Sequence, residues 1–408
     1  MARRQAVMLI VDGLGDLPIG ELGGQTPLEA ARTPVLDRMA GAGGYGLVDP
    51  ILPGEIPDTD SGVGLLLGLP PEQADALHRG PVEASGVNRR MREGEIAVRA
   101  NFATVEERSG GLWVTDRRAG RIIEHVDELA QAIDGIELGD GVRADFRPTD
   151  QHRGVLVLSG PGLDAAVSDT DPGDAGNPGF VLHSRALQPA AERTAAKINL
   201  FVQEAHHRLL DHPVNLARQA AGRLAANGII TRGAGAWFEP ANRLEALGLR
   251  AAVVAGCNTV LGLARLFGFD TVQNPEFTAG LDTDLDGKVA AALATLQSHD
   301  IVYVHVKASD LCAHDRRPLA KRDFLERLDR ALAPLTSAGV VLALSSDHTT
   351  NSNSGAHTAD PVPSLIFDPF QPRSGPAVNF GETACRTGTM PRQRSFEFLD
   401  RVLDKLDH

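Results

Sequence analysis

The most constraining feature of this sequence is a pattern that occurs three times, in which a continuous apolar run ends at an aspartate. The runs are "AVMLIVDG", "DIVYVHVKASD" and "AGVVLALSSDH", with aspartates at Asp12, Asp310 and Asp347. Such runs are typical of strands that are buried on both faces. Segments with helical spacing separate them, such as "TPVLDRMAGAG", "NTVLGLARLFG", "DGKVAAALATLQ" and "KRDFLERLDRALAPL". The alternation predicts an α/β domain built around a mainly parallel sheet.

The middle of the chain has a different sequence pattern. The segments "NFATVEE", "GLWVTD", "GIEL" and "HRGVLVLSG" are short and separated by turns, and the loop "TDPGDAGNPG" follows them. A length of 408 residues fits one large domain with an insertion, or two domains. We predict a smaller α+β domain at residues 106–177 that covers the substrate. It would be inserted into a discontinuous metal-binding catalytic domain of residues 1–105 and 178–408.

Charge and cysteine content restrict the partners and the compartment. The net charge is −13, from 40 basic and 53 acidic residues, which argues against nucleic acid as a partner. Cys257, Cys312 and Cys385 are odd in number and far apart, which favours a reducing compartment. The apolar run from Ala6 to Val11 is too short for a signal peptide, and no run reaches membrane-spanning length. We therefore expect a cytoplasmic protein with no membrane partner.

Acidic and imidazole side chains follow the predicted strands at the edge where ligands bind in parallel sheets. Asp310 and His314 are four residues apart, which places them on one face of a helix. Three carboxylates and three imidazoles could surround two divalent cations that hold both oxygens of a phosphoryl transfer. A single aspartate here could instead be a helix cap, and a single histidine could be structural, so the prediction depends on the whole set. The set is Asp12, Asp310, His314, Asp347, His348 and His357.

The stretch "LIVDGLGDLPIGELGGQTPLEAARTPVLDRMA" resembles the amino-terminal signature of the archaeal-type cofactor-independent phosphoglycerate mutases, members of the alkaline phosphatase superfamily. Further motifs occur in that family's order: "NFATV", "TDRRAGRI", "HRGVLVL", "DTDP", "DHPVN", "RGAG", "HVKASDLCAHD" and "DHTTNSNSGAHTADPVPSLIF". The resemblance covers nearly the whole chain. It implies an alkaline-phosphatase-like three-layer sandwich and a metal-dependent phosphotransferase.

The resemblance also divides the ligands between two metal ions. One ion would be bound by Asp310, His314 and His357. The other would be bound by Asp12, Thr59, Asp347 and His348. Manganese is the first expectation because carboxylates and imidazoles suit it, with zinc or magnesium as the alternatives.

The stretch "LPGEIPDTDSGVGLLLGLPP" departs from the family's proline-glycine-serine-aspartate-threonine-alanine-histidine pattern. Thr59 stands where the family has its nucleophilic serine, and a bound cation would lower the pKa of its hydroxyl. The extra methyl group crowds an in-line attack, and Ser61 is the alternative nucleophile. Val63 stands where the pattern has a histidine that could bind substrate or transfer a proton, and His78 and His152 are candidates to compensate for it.

Basic side chains in the matching motifs are candidates to bind an anionic substrate. Guanidinium groups suit both the phosphate and the carboxylate of phosphoglycerate, although any one arginine could be a solvated surface residue. The candidates are Arg117, Arg118, Arg121, Arg153 and Arg232. Lys307 could neutralise a transferring phosphate as a catalytic residue, or be a structural ion-pair partner.

Three functions remain open at this point. The first is interconversion of 3-phosphoglycerate and 2-phosphoglycerate through a phosphothreonine, with a small anionic phosphoester as the partner. The second is a diverged paralogue that acts on a phosphonate, a nucleotide-linked phosphoester or another small phosphoester in a specialised biosynthetic pathway. The third is a catalytically silent binding protein on the same fold. The sequence makes no prediction of the oligomeric state.

Overall fold

The computed structural model describes residues 3–173, 179–375 and 378–406. The chain divides into two compact units. Unit 1 contains residues Met1–Ala74 and Pro240–His408, and unit 2 contains residues Asp75–Glu239.

Each unit combines strands and helices. In the described ranges the strands are β1 (Ala6–Val11), β2 (Gly44–Asp49), β3 (Ile96–Arg108), β4 (Gly111–Asp116), β5 (Arg143–Pro148), β6 (Arg153–Ser159), β7 (Gly228–Ala236), β8 (Ala251–Val254), β9 (Asp270–Val272), β10 (Ile301–Val306), β11 (Val341–Ser345), β12 (Thr349–Asn351), β13 (Ala356–Thr358), β14 (Val362–Phe367) and β15 (Gln393–Arg394). The helices are α1 (Pro27–Ala30), α2 (Pro34–Ala42), α3 (Thr59–Leu66), α4 (Arg79–Gly86), α5 (Val126–Ile133), α6 (Glu192–Leu210), α7 (Pro213–Ala220), α8 (Arg243–Ala246), α9 (Asn258–Leu266), α10 (Leu285–Thr295), α11 (Ala308–His314), α12 (Pro318–Ala331), α13 (Glu382–Arg386) and α14 (Ser395–Leu403). Among these described helices, none is both long enough and apolar enough to cross a membrane.

Unit 1 is built on a sheet with the strand order β15-β2-β14-β11-β1-β10-β8-β9. The five neighbouring strands from β11 to β9 are parallel, whereas β14 is antiparallel to both of its neighbours. Every residue of β1 and of β10 is buried, because side chains cover both faces of the sheet. On one face, Val7 and Leu9 share an apolar cluster with residues of α1, α2, α10 and α12. The predicted α/β sandwich with a mainly parallel sheet is confirmed.

The register of the parallel strands sets the position of the carboxyl edge of this sheet. β1 pairs with β10 as far as Val11 and Val306, and with β11 as far as Ile10 and Ser345. The residues that follow these pairs therefore meet at one edge. They include Asp12, Lys307 and Asp347.

Two short elements complete this edge. Helix α11 begins directly after β10 and carries Asp310 and His314 four residues apart, as the spacing predicted. Strands β12 and β13 form a hairpin in which Thr350 pairs with His357. This hairpin returns the chain from His348 to His357, so that both histidines lie at the same edge.

Unit 2 contains an antiparallel sheet in which the long strand β3 pairs with β4, β6 and β7, and β6 pairs with β5. Val98 and Phe102 of β3 face an apolar cluster that includes α5 and α6. Arg99 and Asn101 alternate with them and therefore face the other side of the sheet. Helix α4 lies close to β3, since a Cβ on Gly80 would be 2.0 Å from the carbonyl oxygen of Ala97.

Unit 2 is larger than the insertion of residues 106–177 expected from the sequence. A boundary between residues 105 and 106 would cut β3, which is continuous from Ile96 to Arg108. Strand β7, far along the chain, pairs with the same strand and so belongs to the same unit. The other expected boundary, between residues 177 and 178, lies outside the described residues.

Candidate metal centre and arginine cluster

Unit 1 brings all six of the predicted acidic and imidazole ligands together. In a first group, Asp310 Oδ1 is 3.2 Å from His314 Nε2 and 3.7 Å from His357 Nε2. The Nε2 atoms of these two histidines are themselves 3.2 Å apart. Three ligand atoms thus converge on one point at the edge of the sheet.

A second group surrounds His348. Its Nε2 atom is 3.2 Å from Asp347 Oδ2 and 3.4 Å from Asp12 Oδ1, and all three residues are fully buried. Thr59 Oγ1 is also 3.4 Å from this Nε2 atom. The imidazole rings of His348 and His357 stack with their centroids 3.7 Å apart, so the two groups adjoin. We call both groups together the metal centre.

The outer nitrogen of each imidazole is held by an oxygen atom. Two of these oxygens are backbone carbonyls, which can only accept, so the proton lies on Nδ1 and the lone pair of Nε2 faces inward. The three hydrogen bonds join His314 Nδ1 to Gly355 O at 2.8 Å, His357 Nδ1 to Pro57 O at 3.0 Å, and His348 Nδ1 to Thr350 Oγ1 at 3.0 Å.

The unpaired atoms of the centre are all acceptors. Asp12 Oδ1 and Asp347 Oδ2 are buried and accept no hydrogen bond from any described residue. Carboxylate oxygens and imidazole lone pairs this close together repel one another unless a positive charge lies between them. When no cation is bound, a second proton on His314 at Nε2 can supply such a charge, and the hydrogen bond it makes to the carboxylate of Asp310 raises the pKa of His314. The residues present therefore fit two divalent cations.

Lys307 and His305 hold the opposite side of the aspartates. Lys307 Nζ donates to Asp12 Oδ2 at 2.8 Å and to Asp310 Oδ2 at 2.9 Å, and His305 Nε2 is 3.1 Å from Asp12 Oδ2. Burial alone would lower the pKa of Lys307, but the two carboxylates raise it, so the side chain is cationic. Asp12 and Asp310 thus each use Oδ2 for contacts outside the centre and turn Oδ1 towards the histidines of the centre.

Helix α3 presents Thr59 to the centre from its first turn. The helix packs tightly against the Asp347 backbone, because a Cβ on Gly62 would lie 2.2 Å from the carbonyl oxygen of Asp347. Ser61, the alternative nucleophile, has a different use. Its hydroxyl donates to the carbonyl of Asp58 at 3.0 Å and accepts from the Asp58 N–H at 3.2 Å, which caps the helix.

Val63 lies one turn after Thr59 in α3 and is fully buried. Its apolar side chain neither binds anions nor carries protons. The two histidines considered as compensation, His78 and His152, both belong to unit 2. His78 precedes α4 as its N-cap, and its side chain makes no capping hydrogen bond.

Unit 2 gathers arginines on one face of its sheet. Arg99 of β3 pairs across strands with Arg232 of β7, and Asn101 pairs with Arg153 of β6. Cross-strand partners share a face, and residues two apart on a strand also do. Three of these four side chains are therefore guanidinium groups on the face that α4 covers.

The electrostatics of His152 and Arg99 extend this group to six arginines. Burial and, after it, the positive charges of Arg153, Arg118, Arg99 and Arg121 together lower the pKa of His152 to about 3. Burial lowers the pKa of Arg99 to about 9, with Arg79, Arg232 and Arg153 also lowering it and Glu83 opposing them. Arg99 is still cationic at neutral pH and His152 is neutral. The arginine cluster is defined as Arg79, Arg99, Arg118, Arg121, Arg153 and Arg232.

Two arginines of the cluster have buried guanidinium nitrogen atoms that form no hydrogen bond with a described residue. Arg99 is 3% exposed, and its Nε and Nη1 atoms form no hydrogen bond with a described residue, although Nη1 lies 3.8 Å from Glu83 Oε1. The Nε atom of Arg153 is also buried without an acceptor in the described ranges. Buried donors next to several positive charges favour an anionic ligand.

The structure separates Arg117 from the other predicted arginines. Its Nε donates to Asp171 Oδ1 at 2.9 Å, and its Nη2 donates to Asp171 Oδ2. This paired geometry satisfies the guanidinium group inside the protein. Arg118, Arg121, Arg153 and Arg232 fall in the cluster.

Sequence reasoning missed Arg79, Arg99, His305 and Thr350. A signal existed for two of them, because Arg99 interrupts the apolar strand "IAVRANFA" and His305 interrupts "IVYVHV". A polar side chain inside a buried strand needs a partner or a ligand. Thr350 and Arg79 have no comparable signal, since polar residues are ordinary at the start of a hairpin or helix.

Comparisons with known proteins show which family this chain resembles. The family model described as 2,3-bisphosphoglycerate-independent phosphoglycerate mutase matches residues 40–215. Proteins with that name from Methanopyrus kandleri and Methanothermobacter thermautotrophicus are 39% and 37% identical, over 99% of this chain and 97% and 98% of theirs.

Two solved structures match at least 98% of the chain. A Pyrococcus horikoshii protein has a TM-score of 0.82 at 29% identity, covering 100% of this chain and 98% of that one. The cofactor-independent phosphoglycerate mutase of Thermoplasma acidophilum has a TM-score of 0.69 at 32% identity, with 98% and 99% covered. This chain belongs to the 2,3-bisphosphoglycerate-independent phosphoglycerate mutase family.

Proposed function

We propose that this protein interconverts 3-phosphoglycerate and 2-phosphoglycerate through a phosphothreonine at Thr59, with two divalent cations bound in the metal centre. Relatives that align over nearly its whole length carry the name of this activity. Manganese is the proposed ion, with zinc or magnesium as the alternatives.

The observation that carries the proposal is the convergence of unpaired acceptors beside a hydroxyl. Asp12 Oδ1 and Asp347 Oδ2 lie within 3.4 Å of His348 Nε2, and Thr59 Oγ1 lies 3.4 Å from the same nitrogen. A hydroxyl is a weak nucleophile near neutral pH and needs activation. Cations bound by these ligands would lower the pKa of that hydroxyl and offset the charge of a phosphate.

The protein's own residues take the other roles. Thr59 is the nucleophile, because the hydroxyl of Ser61 is engaged in capping α3. Lys307 keeps the carboxylates of Asp12 and Asp310 turned inward and adds a positive charge beside them. In unit 2, the arginine cluster supplies guanidinium groups for the anionic groups of the substrate.

The reaction balances as two transfers of one phosphoryl group. In the first, the Thr59 Oγ1–P bond forms as the bond between phosphorus and the C3 oxygen breaks, and the threonine proton ends on that oxygen. In the second, the C2 hydroxyl loses its proton and takes the phosphoryl group, and Thr59 regains its hydroxyl. Water is the competing acceptor, so glycerate must be retained between the transfers.

A phosphorus NMR time course tests the proposal. The purified protein is loaded with manganese and incubated with 3-phosphoglycerate. A growing 2-phosphoglycerate signal with little inorganic phosphate supports the mutase. Manganese binding without any 2-phosphoglycerate contradicts it.

A specific observation favours one second candidate, a diverged phosphotransferase or hydrolase. Thr59 and the fully buried Val63 both depart from the family pattern on the same helix, next to the same centre. The methyl group of Thr59 narrows the approach to phosphorus, and Val63 removes a proton carrier. If phosphoglycerate is not converted, turnover of a phosphonate or a phosphodiester by the same manganese-loaded protein would support this candidate.

A further inference from the structure

Thr350 contacts one ligand from each half of the metal centre. Its Oγ1 donates to Asp310 Oδ1 at 2.8 Å and is 3.0 Å from His348 Nδ1. The side chain is fully buried. Asp310 belongs to the first group of ligands and His348 to the second.

A hydroxyl has only one proton, and this fixes the direction of both hydrogen bonds. Asp310 accepts a hydrogen bond from Lys307 Nζ through its Oδ2 atom at 2.9 Å, so its carboxylate acts as an acceptor at both oxygens. Thr350 therefore donates to Asp310 and accepts from His348. His348 is held with its proton on Nδ1 and its lone pair on Nε2, the atom that faces Asp12 and Asp347.

The surroundings hold the backbone of Thr350 in place and leave room for its hydroxyl. The Thr350 N–H donates to Gly15 O at 3.1 Å, and its carbonyl accepts from Lys321 Nζ at 3.3 Å. Lys321 forms a fully buried ion pair with Asp16 at 2.8 Å. Gly13, with a φ of +61°, leaves the space for the hydroxyl, because a Cβ there would lie 2.6 Å from Thr350 Oγ1.

We propose that Thr350 is a positioning residue that couples the two cation sites, so that a cation bound in either group strengthens binding in the other. Thr350 holds Asp310 and His348 through one oxygen, and its cross-strand partner His357 belongs to the first group. Ordering either ligand fixes the hydroxyl and thereby orders the other. This proposal rests on the two-cation function proposed above.

The test is a calorimetric titration of metal-free, full-length protein with manganese chloride. The Thr350→Val variant keeps the shape of the side chain but lacks the hydroxyl. The Thr350→Ser variant retains a hydroxyl at this position. Thr349→Val is the matched control, because Thr349 is equally buried and its Oγ1 has no hydrogen-bond partner among the described residues. Thr350→Ala serves the same comparison if the valine variant does not fold.

The expected result is that the wild-type protein binds two manganese ions cooperatively. Thr350→Val weakens both sites about 10- to 100-fold and abolishes cooperativity, as loss of an outer hydrogen bond to a metal ligand does. Thr350→Ser and Thr349→Val bind within about threefold of the wild type. Two ions bound by Thr350→Val with wild-type affinity would overturn the proposal and leave the two-cation function standing. Failure of the wild-type protein to bind two ions would overturn both.

Discussion

The metal centre of unit 1 and the arginine cluster of unit 2 both contain buried polar atoms without hydrogen-bond partners among the described residues, but these atoms are of opposite kinds. In the metal centre the buried atoms without partners are acceptors, Asp12 Oδ1 and Asp347 Oδ2. In the arginine cluster they are mainly donors, the Nε and Nη1 atoms of Arg99 and Nε of Arg153. The first arrangement suits a cation and the second an anion.

The two units also bring their site residues together in different ways. Unit 1 uses the ends of parallel strands, so residues such as Asp12 and Asp347 meet although they are far apart in sequence. Unit 2 uses one face of an antiparallel sheet, where Arg99 and Arg232 meet as cross-strand partners. A net charge of −13 conceals this contrast, because it sums over the whole chain and does not show that six arginines lie together.

Thr59→Ala is expected to have the largest effect. It removes the hydroxyl but none of the charged ligands, so manganese binding should persist while kcat falls by about 10³-fold or more. Turnover of 3-phosphoglycerate and manganese stoichiometry are measured together. Ser61→Ala is the matched control and should lower stability slightly through the lost cap, with kcat nearly unchanged. A loss of activity in Ser61→Ala but not in Thr59→Ala would move the nucleophile to Ser61.

Asp347→Asn tests the acceptor character of unit 1. The substitution keeps the size of the side chain and removes its negative charge, so one of the two cations should be lost and kcat should fall about 10²-fold. Metal content after dialysis gives the stoichiometry. Asp360→Asn, at an exposed carboxylate that accepts from Thr358, should retain both ions. Equal metal content in the two variants would contradict the assignment of Asp347 as a ligand.

The metal centre was largely predictable because its residues follow a local rule. An apolar strand that ends in aspartate predicts the edge of a parallel sheet, and this found Asp12, Asp310 and Asp347. The i, i+4 spacing of Asp310 and His314 predicted one helical face, which α11 provides. The tautomers of the histidines were not predictable, because they depend on oxygens such as Pro57 O and Gly355 O that only the folded chain brings near.

The arginine cluster was less predictable because antiparallel register is a long-range property. The sequence named Arg153 and Arg232 from motifs, but it could not place Arg99 opposite Arg232, since that pairing joins β3 to a strand more than a hundred residues later. For the same reason it placed the boundary of unit 2 inside β3. It also could not show that Arg117 is already paired with Asp171.

Arg99→Met tests the donor character of unit 2. Loss of a buried guanidinium that contacts an anion should raise KM for 3-phosphoglycerate about 10- to 100-fold and change kcat less, because charge-assisted hydrogen bonds are worth about 1.5–3 kcal/mol. Arg147→Met is the control, since Arg147 is half exposed and pairs with Asp145 on β5. A wild-type KM in a folded Arg99→Met variant would show that this donor does not contact the substrate.

Glu382 is a buried carboxyl group that belongs neither to the metal centre nor to the arginine cluster. It accepts hydrogen bonds from the Asp16 N–H at 3.0 Å and from Thr26 Oγ1 at 2.6 Å. Burial raises its pKa to about 7, although these hydrogen bonds oppose the shift. Glu29 lies nearby and has a lowered pKa, because hydrogen bonds from Thr383 and Thr26 outweigh its burial.

The two glutamates should therefore give the stability of unit 1 opposite dependences on pH. Between its ordinary pKa of 4.5 and about 7, Glu382 is protonated in the folded state and ionised in the unfolded state. Its contribution to the free energy of unfolding is present below pH 4.5 and is lost as the pH rises through about 7. Glu382→Gln cannot ionise, so its stability relative to the wild type should increase by roughly 1–3 kcal/mol from pH 5 to pH 8. Glu29 contributes stability above its ordinary pKa, so Glu29→Gln should become less stable relative to the wild type as the pH rises. Urea unfolding at several pH values measures both slopes, and slopes of the same sign would show that burial does not control the ionisation of Glu382.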